Sequence, residues 1–280
     1  MVVRARSPSQ GSDDGRLAEG LLALGGRAVQ EVEGWWITHL DPSEAPAPDD
    51  VTARLAALTE ISDLDVDVRW QEHRDWAELW KRGLAPRRVG ERLVVTPSWC
   101  EVERLPGDVV LTLDPGMAFG NAEHGTTRGC LRLLESSVRG GDRLLDVGTG
   151  SGVLSIAAVH LGAAAVLALD GDRWAVGQAR ENLEANGVSA RVRVEEHRVD
   201  SPSLAALGSF DGVIANIERG LLVPLLDGLV GAVDRGGWLL LSGILAPEWD
   251  DFAELVTGRG CDLEALDEDG EWRSACFRTP

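Results

Sequence analysis

At 280 residues, 44% of them hydrophobic, the chain is long enough for two domains and a sizeable core. Its 27 Lys and Arg stand against 46 Asp and Glu, a net charge of −19. That balance repels a phosphate backbone, so no direct nucleic-acid binding is expected, and it suits a basic macromolecular partner or simply a soluble surface. No run approaches the roughly 18 apolar residues of a membrane span, and residues 1–6 are too short and too charged for a signal peptide, so a cytoplasmic protein with no membrane contact is expected. Cys100, Cys130, Cys261 and Cys276 are far apart, without the paired spacing of a zinc site, and read as reduced and mostly buried.

Residues 1–70 read as a small α+β unit. Short β-type runs fall at 2–6, 28–33, 35–40 and 64–70. A helical pattern over 13–24 stops at Gly25-Gly26, and a second follows the Pro-rich stretch 41–48. The order βαββαβ is the ferredoxin-like arrangement. It holds no catalytic cluster, and docking and purely structural roles are equally open to it. Residues 75–82 form a short predicted helix with Trp76 and Trp80 on one face, inside a connector spanning 71–100. Residues 88–98 are strand-like. Another strand over 108–114 leads into a glycine-containing loop, 114–127, suited to a lid or ligand wall, and then into a helix through about Leu134. His124 reads as a ligand or base, or as a capping residue. Thr127 is the better candidate for a ligand contact, because a threonine in a first helical turn can offer its hydroxyl to a carboxylate.

The central stretch is Leu144-Leu145-Asp146-Val147-Gly148-Thr149-Gly150-Ser151-Gly152-Val153-Leu154. An apolar run ending in an acid, then alternating glycines, then apolar residues at helical spacing, reads as strand, tight loop and helix. Asp146, Gly148 and Gly150 are the candidates for holding a nucleoside-bearing cofactor, since side-chain-free backbone can approach a ligand closely beside a helix N-terminus. The dinucleotide fingerprint needs its third glycine one residue later; this spacing is more usual for enzymes that use S-adenosylmethionine. The next strand, 164–170, ends in Asp170, 22 residues beyond Gly148, where an acid accepts hydrogen bonds from ribose hydroxyls. Asp172 is the more natural cap for the helix over 173–186. A third strand, 191–194, precedes Asp200, a possible adenine neighbour.

A fourth strand, 210–215, delivers Asn216-Ile217 to the edge where open α/β sheets bind ligands. Asn216, the one catalytic candidate, either holds an incoming amine by its N–H groups, aiming the nitrogen lone pair at a methyl carbon, or caps a helix beginning near Glu218. Helix 218–233, strand 238–242, helix 247–258 and two strands within 261–278, joined by Asp267-Glu268-Asp269-Gly270, complete the chain. A mostly parallel sheet finished by an antiparallel hairpin is how methyltransferase sheets end, so residues 101–280 are expected to form that domain.

Taken together, Trp76-Ala77-Glu78-Leu79-Trp80-Lys81, Arg92-Leu93-Val94-Val95 with Pro97-Ser98-Trp99, Asp114-Pro115-Gly116-Met117-Ala118-Phe119-Gly120, His124 with Thr126-Thr127, the glycine turn, Asn216-Ile217 and Leu241-Ser242-Gly243-Ile244-Leu245 resemble the bacterial methyltransferases that modify the eleventh protein of the large ribosomal subunit. The resemblance covers nearly the whole chain. It implies a class I methyltransferase with a seven-stranded, mostly parallel sheet behind a ferredoxin-like domain that grips the ribosomal protein. It also implies transfer from S-adenosylmethionine to lysine and N-terminal amines of that basic substrate, with Thr127, Gly148, Asp170 and Asn216 as cofactor contacts; separately, a monomer is expected. Two departures flank the implied transfer site. The chain has Gly120-Asn121-Ala122-Glu123-His124-Gly125-Thr126-Thr127 where the family has Gly-Thr-Gly-Thr-His-Pro-Thr-Thr, and Asn216-Ile217-Glu218-Arg219 where it has Asn-Ile-Leu-Ala.

Overall fold

The computed structural model describes residues 1–7, 14–26, 29–32, 34–40, 45–61, 63–69, 85–114, 120 and 122–280. The helix expected over 75–82, with its two tryptophans, lies outside the described residues, as do 115–119 and 121 of the glycine-containing loop. The chain divides into two compact units, Met1–Gly83 and Leu84–Pro280. Among the described residues no helix is long and apolar enough to cross a membrane.

The first unit runs β1 (Val2–Arg6), α1 (Asp14–Ala23), β2 (Val29–Val32), β3 (Trp35–His39), α2 (Pro48–Thr59) and β4 (Asp65–Arg69). Its strands form one antiparallel sheet in the order β2-β3-β1-β4, the ferredoxin-like arrangement. The period-2 alternation of β1 decides which face carries the helices. Val3 and Ala5 are fully buried against Leu17, Leu21, Val51 and Leu55, while Arg4 and Arg6 stack over Trp35 on the other face, 4.7 and 4.3 Å from its ring.

The second unit opens with β5 (Arg87–Arg88), β6 (Leu93–Thr96) and β7 (Val109–Thr112) as a small sheet of their own, β5 antiparallel and β6 parallel to its neighbour. Residues from Leu84 onward, expected as part of a connector, therefore group with this unit. The single strand expected over 88–98 is interrupted. Glu135 of helix α3 (Gly125–Ser137) accepts the N–H groups of Glu91, Arg92 and Leu93, each at 2.8 Å, and so captures the turn between β5 and β6. A carboxylate some 40 residues away supplies the partners those turn amides need.

The large sheet comprises β8 (Arg143–Val147), β9 (Ala165–Asp170), β10 (Val192–Glu196), β11 (Phe210–Asn216), β12 (Val233–Leu245), β13 (Asp262–Asp269) and β14 (Trp272–Arg278), in the order β10-β9-β8-β11-β12-β14-β13. The first five are parallel, and β14 then pairs antiparallel to both β12 and β13. Between them run α4 (Val153–Leu161), α5 (Arg173–Ala185), α6 (Ser201–Ala206), α7 (Arg219–Gly231) and α8 (Trp249–Thr257). The central strands are apolar on both faces, as strands covered by helices on both sides must be. Leu144, Ile214 and Leu240 pack with α3, α4 and α5; Leu145, Val213 and Leu239 pack with α7 and α8. The chain leaves β8 toward β9 and β10, then returns to place β11 on its other side. That reversal opens a crevice at the C-terminal strand ends.

The terminal hairpin is fastened to α3 by charge. Arg128 and Arg132, one helical turn apart, meet Asp267 and Asp269, two residues apart on β13. Arg128 pairs Asp269 through two bonds of 2.8 and 2.6 Å; Arg132 pairs Asp267 through two of 2.6 Å and reaches Asp269 at 2.9 Å. The Arg128 hydrogen bond is the main cause that holds the Asp269 carboxyl down at about 2. A carboxylate depressed in the folded state stabilises it above the unfolded value near 4, and that contribution is lost as pH falls through about 2. Asp269→Asn is expected to cost roughly 2 kcal/mol at neutral pH. Its denaturation midpoint should converge on that of the wild type between about pH 4 and pH 2. A constant gap across that window would contradict the clamp.

Candidate active site

The crevice is a cleft of about 940 Å³ whose walls include Gly148, Gly150, Asp170, Asn216, Glu218 and Trp272. Its floor is the turn between β8 and α4. Gly148, Gly150 and Gly152 have φ of 73°, 56° and 81°, the left-handed region where a side chain is strained. At Gly148 there is no room either, since a Cβ would lie 2.4 Å from Ile217 Cγ2. The N–H groups of Gly148 and Thr149 both donate to the Leu169 carbonyl, at 2.8 and 3.0 Å, which ties the turn to β9.

Two carboxylates hold this turn from opposite sides. Alternation along β8 puts Asp146 on the same face as Leu144, under α4, where it is 1% exposed. Its Oδ2 accepts the hydroxyls of Thr149 at 2.7 Å and Ser155 at 2.6 Å, while Oδ1 has no partner among the described residues. Burial pushes its pKa up, against those two hydrogen bonds. Asp146 does not line the cleft. The acid expected among the cleft's own groups thus lies behind them, because the strand's pleat turns it inward before the chain reaches the opening.

Asp170 does face the cleft. Its Oδ2 accepts the Gly150 N–H at 2.9 Å and its Oδ1 accepts the Asp172 N–H at 3.0 Å, which leaves lone pairs on both oxygens for a ligand. Asp172 caps α5 by accepting from the Trp174 amide at 2.9 Å. Asp200 lines the cleft, but its carboxylate caps α6 in a reciprocal box with Ser203, and the Ser203 hydrogen bonds hold its pKa down. Asn216 ends β11, half-buried on the cleft wall. The N-cap position of α7 belongs to Glu218, so Asn216 is not the cap.

Thr127 differs from expectation. Helix α3 begins at Gly125, and Thr127 in its first turn is fully buried, outside the cleft lining, with Oγ1 unpartnered among the described residues. Thr126 and His124 reach the wall instead. His124 Nδ1 lies 2.8 Å from Thr126 Oγ1, and its ring packs 4.8 Å from Trp272. Burial, and secondarily the Arg128 charge, push the His124 pKa down and favour the neutral ring. Trp272 carried no signal in the sequence. It joins the cleft only because β14 pairs with β12 and the arginine clamp draws the hairpin onto α3. Gly243 was visible only as part of a matching stretch, yet at φ 93° it lets β12 bulge, and a Cβ there would lie 2.2 Å from the Ile217 carbonyl oxygen.

The family described as Ribosomal protein L11 methyltransferase (PrmA) matches residues 30–279. A Ribosomal protein L11 methyltransferase from Symbiobacterium thermophilum is 44% identical across 68% of this chain and 60% of its own length. One of the same name from Geobacter metallireducens is 38% identical across 94% and 93%. The chain thus spans less than two thirds of the first relative and nearly all of the second. Among solved structures, a ribosomal protein L11 methylase from Lactobacillus delbrueckii subsp. bulgaricus superposes with a TM-score of 0.63 at 29% identity, covering 70% of this chain and 100% of that one.

Two substitutions test the scaffold apart from any ligand. Gly243→Ala is expected to destabilise by roughly 2 kcal/mol or more, from backbone strain and the clash with Ile217. Ser155→Ala, which removes one of two donors to a buried carboxylate, should cost about 1–3 kcal/mol. Unchanged thermal midpoints would contradict these assignments.

Proposed function

This chain belongs to the ribosomal protein L11 methyltransferase family, and from that premise we propose that it transfers methyl groups from S-adenosylmethionine to lysine side chains and the N-terminal amine of the eleventh large-subunit ribosomal protein. The observation that carries this reading is the joining of Gly150 and Asp170 by one hydrogen bond at the crevice. A side-chain-free turn and an acid with spare lone pairs, fixed side by side at the end of adjacent parallel strands, suit an adenosine whose ribose hydroxyls donate to the acid.

The fit extends along the cleft. Gly148 and Gly150 present side-chain-free backbone to the cleft, Ala175, Val199 and Leu225 offer an apolar wall for a base, and Asn216 stands on the far side. When bound, S-adenosylmethionine supplies a methyl electrophile: the amine lone pair forms the N–C bond while the S–C electron pair returns to sulfur, leaving a thioether. Asn216 acts on the acceptor. Its side-chain carbonyl accepts an N–H and so aims the nitrogen lone pair along the line of transfer. A lysine ammonium, with a reference pKa of about 10.4, must first lose a proton to solvent, and the apolar walls formed by Ile217 and Leu221 favour the neutral amine. Alignment and exclusion of water then carry the rate, with no dedicated base needed.

The remaining assignments follow from this reading. The ferredoxin-like unit docks the ribosomal protein, and a net charge of −19 favours a basic partner over RNA. The protein acts in the cytoplasm as a monomer. Asp146 and Thr127 serve from behind the cleft wall, the first by shaping the glycine turn.

Asp170→Ala is expected to weaken S-adenosylmethionine binding at least tenfold by calorimetry, the loss of a hydrogen-bonded pair to a charged group. Asn216→Ala should retain binding and lose about a hundredfold in turnover. Tritiated methyl should appear in the purified ribosomal protein and not in ribosomal RNA. Near-normal values for both variants, or label in RNA alone, would contradict the reading.

A further inference from the structure

We infer that Glu218 is a specificity-determining residue of the cleft, which draws the acceptor in as its aliphatic ammonium; this rests on the amine-transfer reading above. Glu218 lies two residues beyond Asn216 and lines the same cleft, exposed at the start of α7. Its carboxylate makes no cap hydrogen bond and, among the described residues, no ion pair.

The other acids of the wall are engaged. Asp170 accepts two backbone amides, while Asp172 and Asp200 cap α5 and α6. Arg198 and His197 line the wall from the segment after β10, and His124 from the start of α3. Glu218 is thus the acid of this wall whose carboxylate accepts no hydrogen bond among the described residues, so both of its oxygens are open to an entering ammonium. Along α7 the same face continues with Leu221, which is 55% exposed, and then Pro224 and Leu225, all lining the cleft. Spacings of three and four residues set these side chains in one stripe. A carboxylate at the head of an apolar ledge matches a cationic group on a methylene stem, the shape of a lysine side chain. An acid in this position also favours the helix dipole. That structural role predicts a change in stability without a change in acceptor affinity, so the two are separable.

Steady-state methyl transfer to the purified eleventh large-subunit protein decides between them. Glu218→Gln is expected to raise KM for that protein about fivefold, the upper end of what an exposed ion pair is worth. Glu218→Lys should raise it further and Glu218→Asp should stay near the wild type, with kcat and donor affinity within about twofold throughout. Raising salt from about 0.05 to about 0.5 M should close the gap between wild type and Glu218→Gln. Glu254→Gln on α8 is exposed and outside the cleft lining, removes the same charge, and should leave KM unchanged. Equal KM values for wild type, Glu218→Gln and Glu218→Lys would overturn the inference, as would a salt-independent gap or an equal rise in Glu254→Gln. Absence of transfer by the wild type would overturn the amine reading and this inference together, whereas transfer with KM unmoved overturns this inference alone.

Discussion

The cleft depends on a buried carboxylate. Asp146 is 1% exposed, and an acid so placed survives only where donors replace the water it has lost. Thr149 and Ser155 provide them. Because one hydroxyl comes from the glycine turn and the other from the first turn of α4, the same two bonds fix the angle at which the chain leaves β8. The turn that results is one only glycine fills comfortably, with three left-handed residues at alternate positions. Its outer side is held by the bond from the Gly150 N–H to Asp170. Two acids near one turn repel each other, and the Asp170 charge adds to the rise in the Asp146 pKa. The arrangement stands because each has its own hydrogen-bond donors.

The opposite wall is assembled from parts distant in sequence. Arg128 and Arg132 bind Asp267 and Asp269 across more than 130 positions and bring the terminal hairpin onto α3. Gly129 permits the close approach, since a Cβ there would lie 2.4 Å from Ser274 Oγ. Trp272 thereby reaches His124, and together they face the cleft from the α3 side. An antiparallel pair at the end of a parallel sheet thus has a use beyond covering an edge: it carries an aromatic residue into the site.

What the sequence made legible was local. The apolar strands of the large sheet, the alternating glycines and the placing of Asp170 at the tip of the next strand all follow from periodicity and spacing, and the βαββαβ order of the first unit from its turn residues. Asp172 as a helix cap was readable for the same reason. Other features rest on partners that spacing does not reveal. The turn that splits β5 from β6 needs Glu135, and the bulge at Gly243 needs the carbonyl of Ile217. Whether Thr126 or Thr127 reaches the opening depends on where α3 starts, to the residue. Asp146 illustrates the limit most simply: an acid before the glycines is visible in the sequence, but the face it takes is set by the pleat of β8. The departures at Glu218 and Arg219 show as a string of letters, whereas the consequence for Glu218 needs the wall of the cleft around it.

A structure of the chain determined with S-adenosylhomocysteine tests the central claim most directly. The account predicts the adenosine lying over Gly148 and Gly150, with its ribose hydroxyls donating to Asp170 and its sulfur directed toward Asn216. A ligand bound elsewhere, or a ribose out of reach of the Asp170 carboxylate, would contradict it.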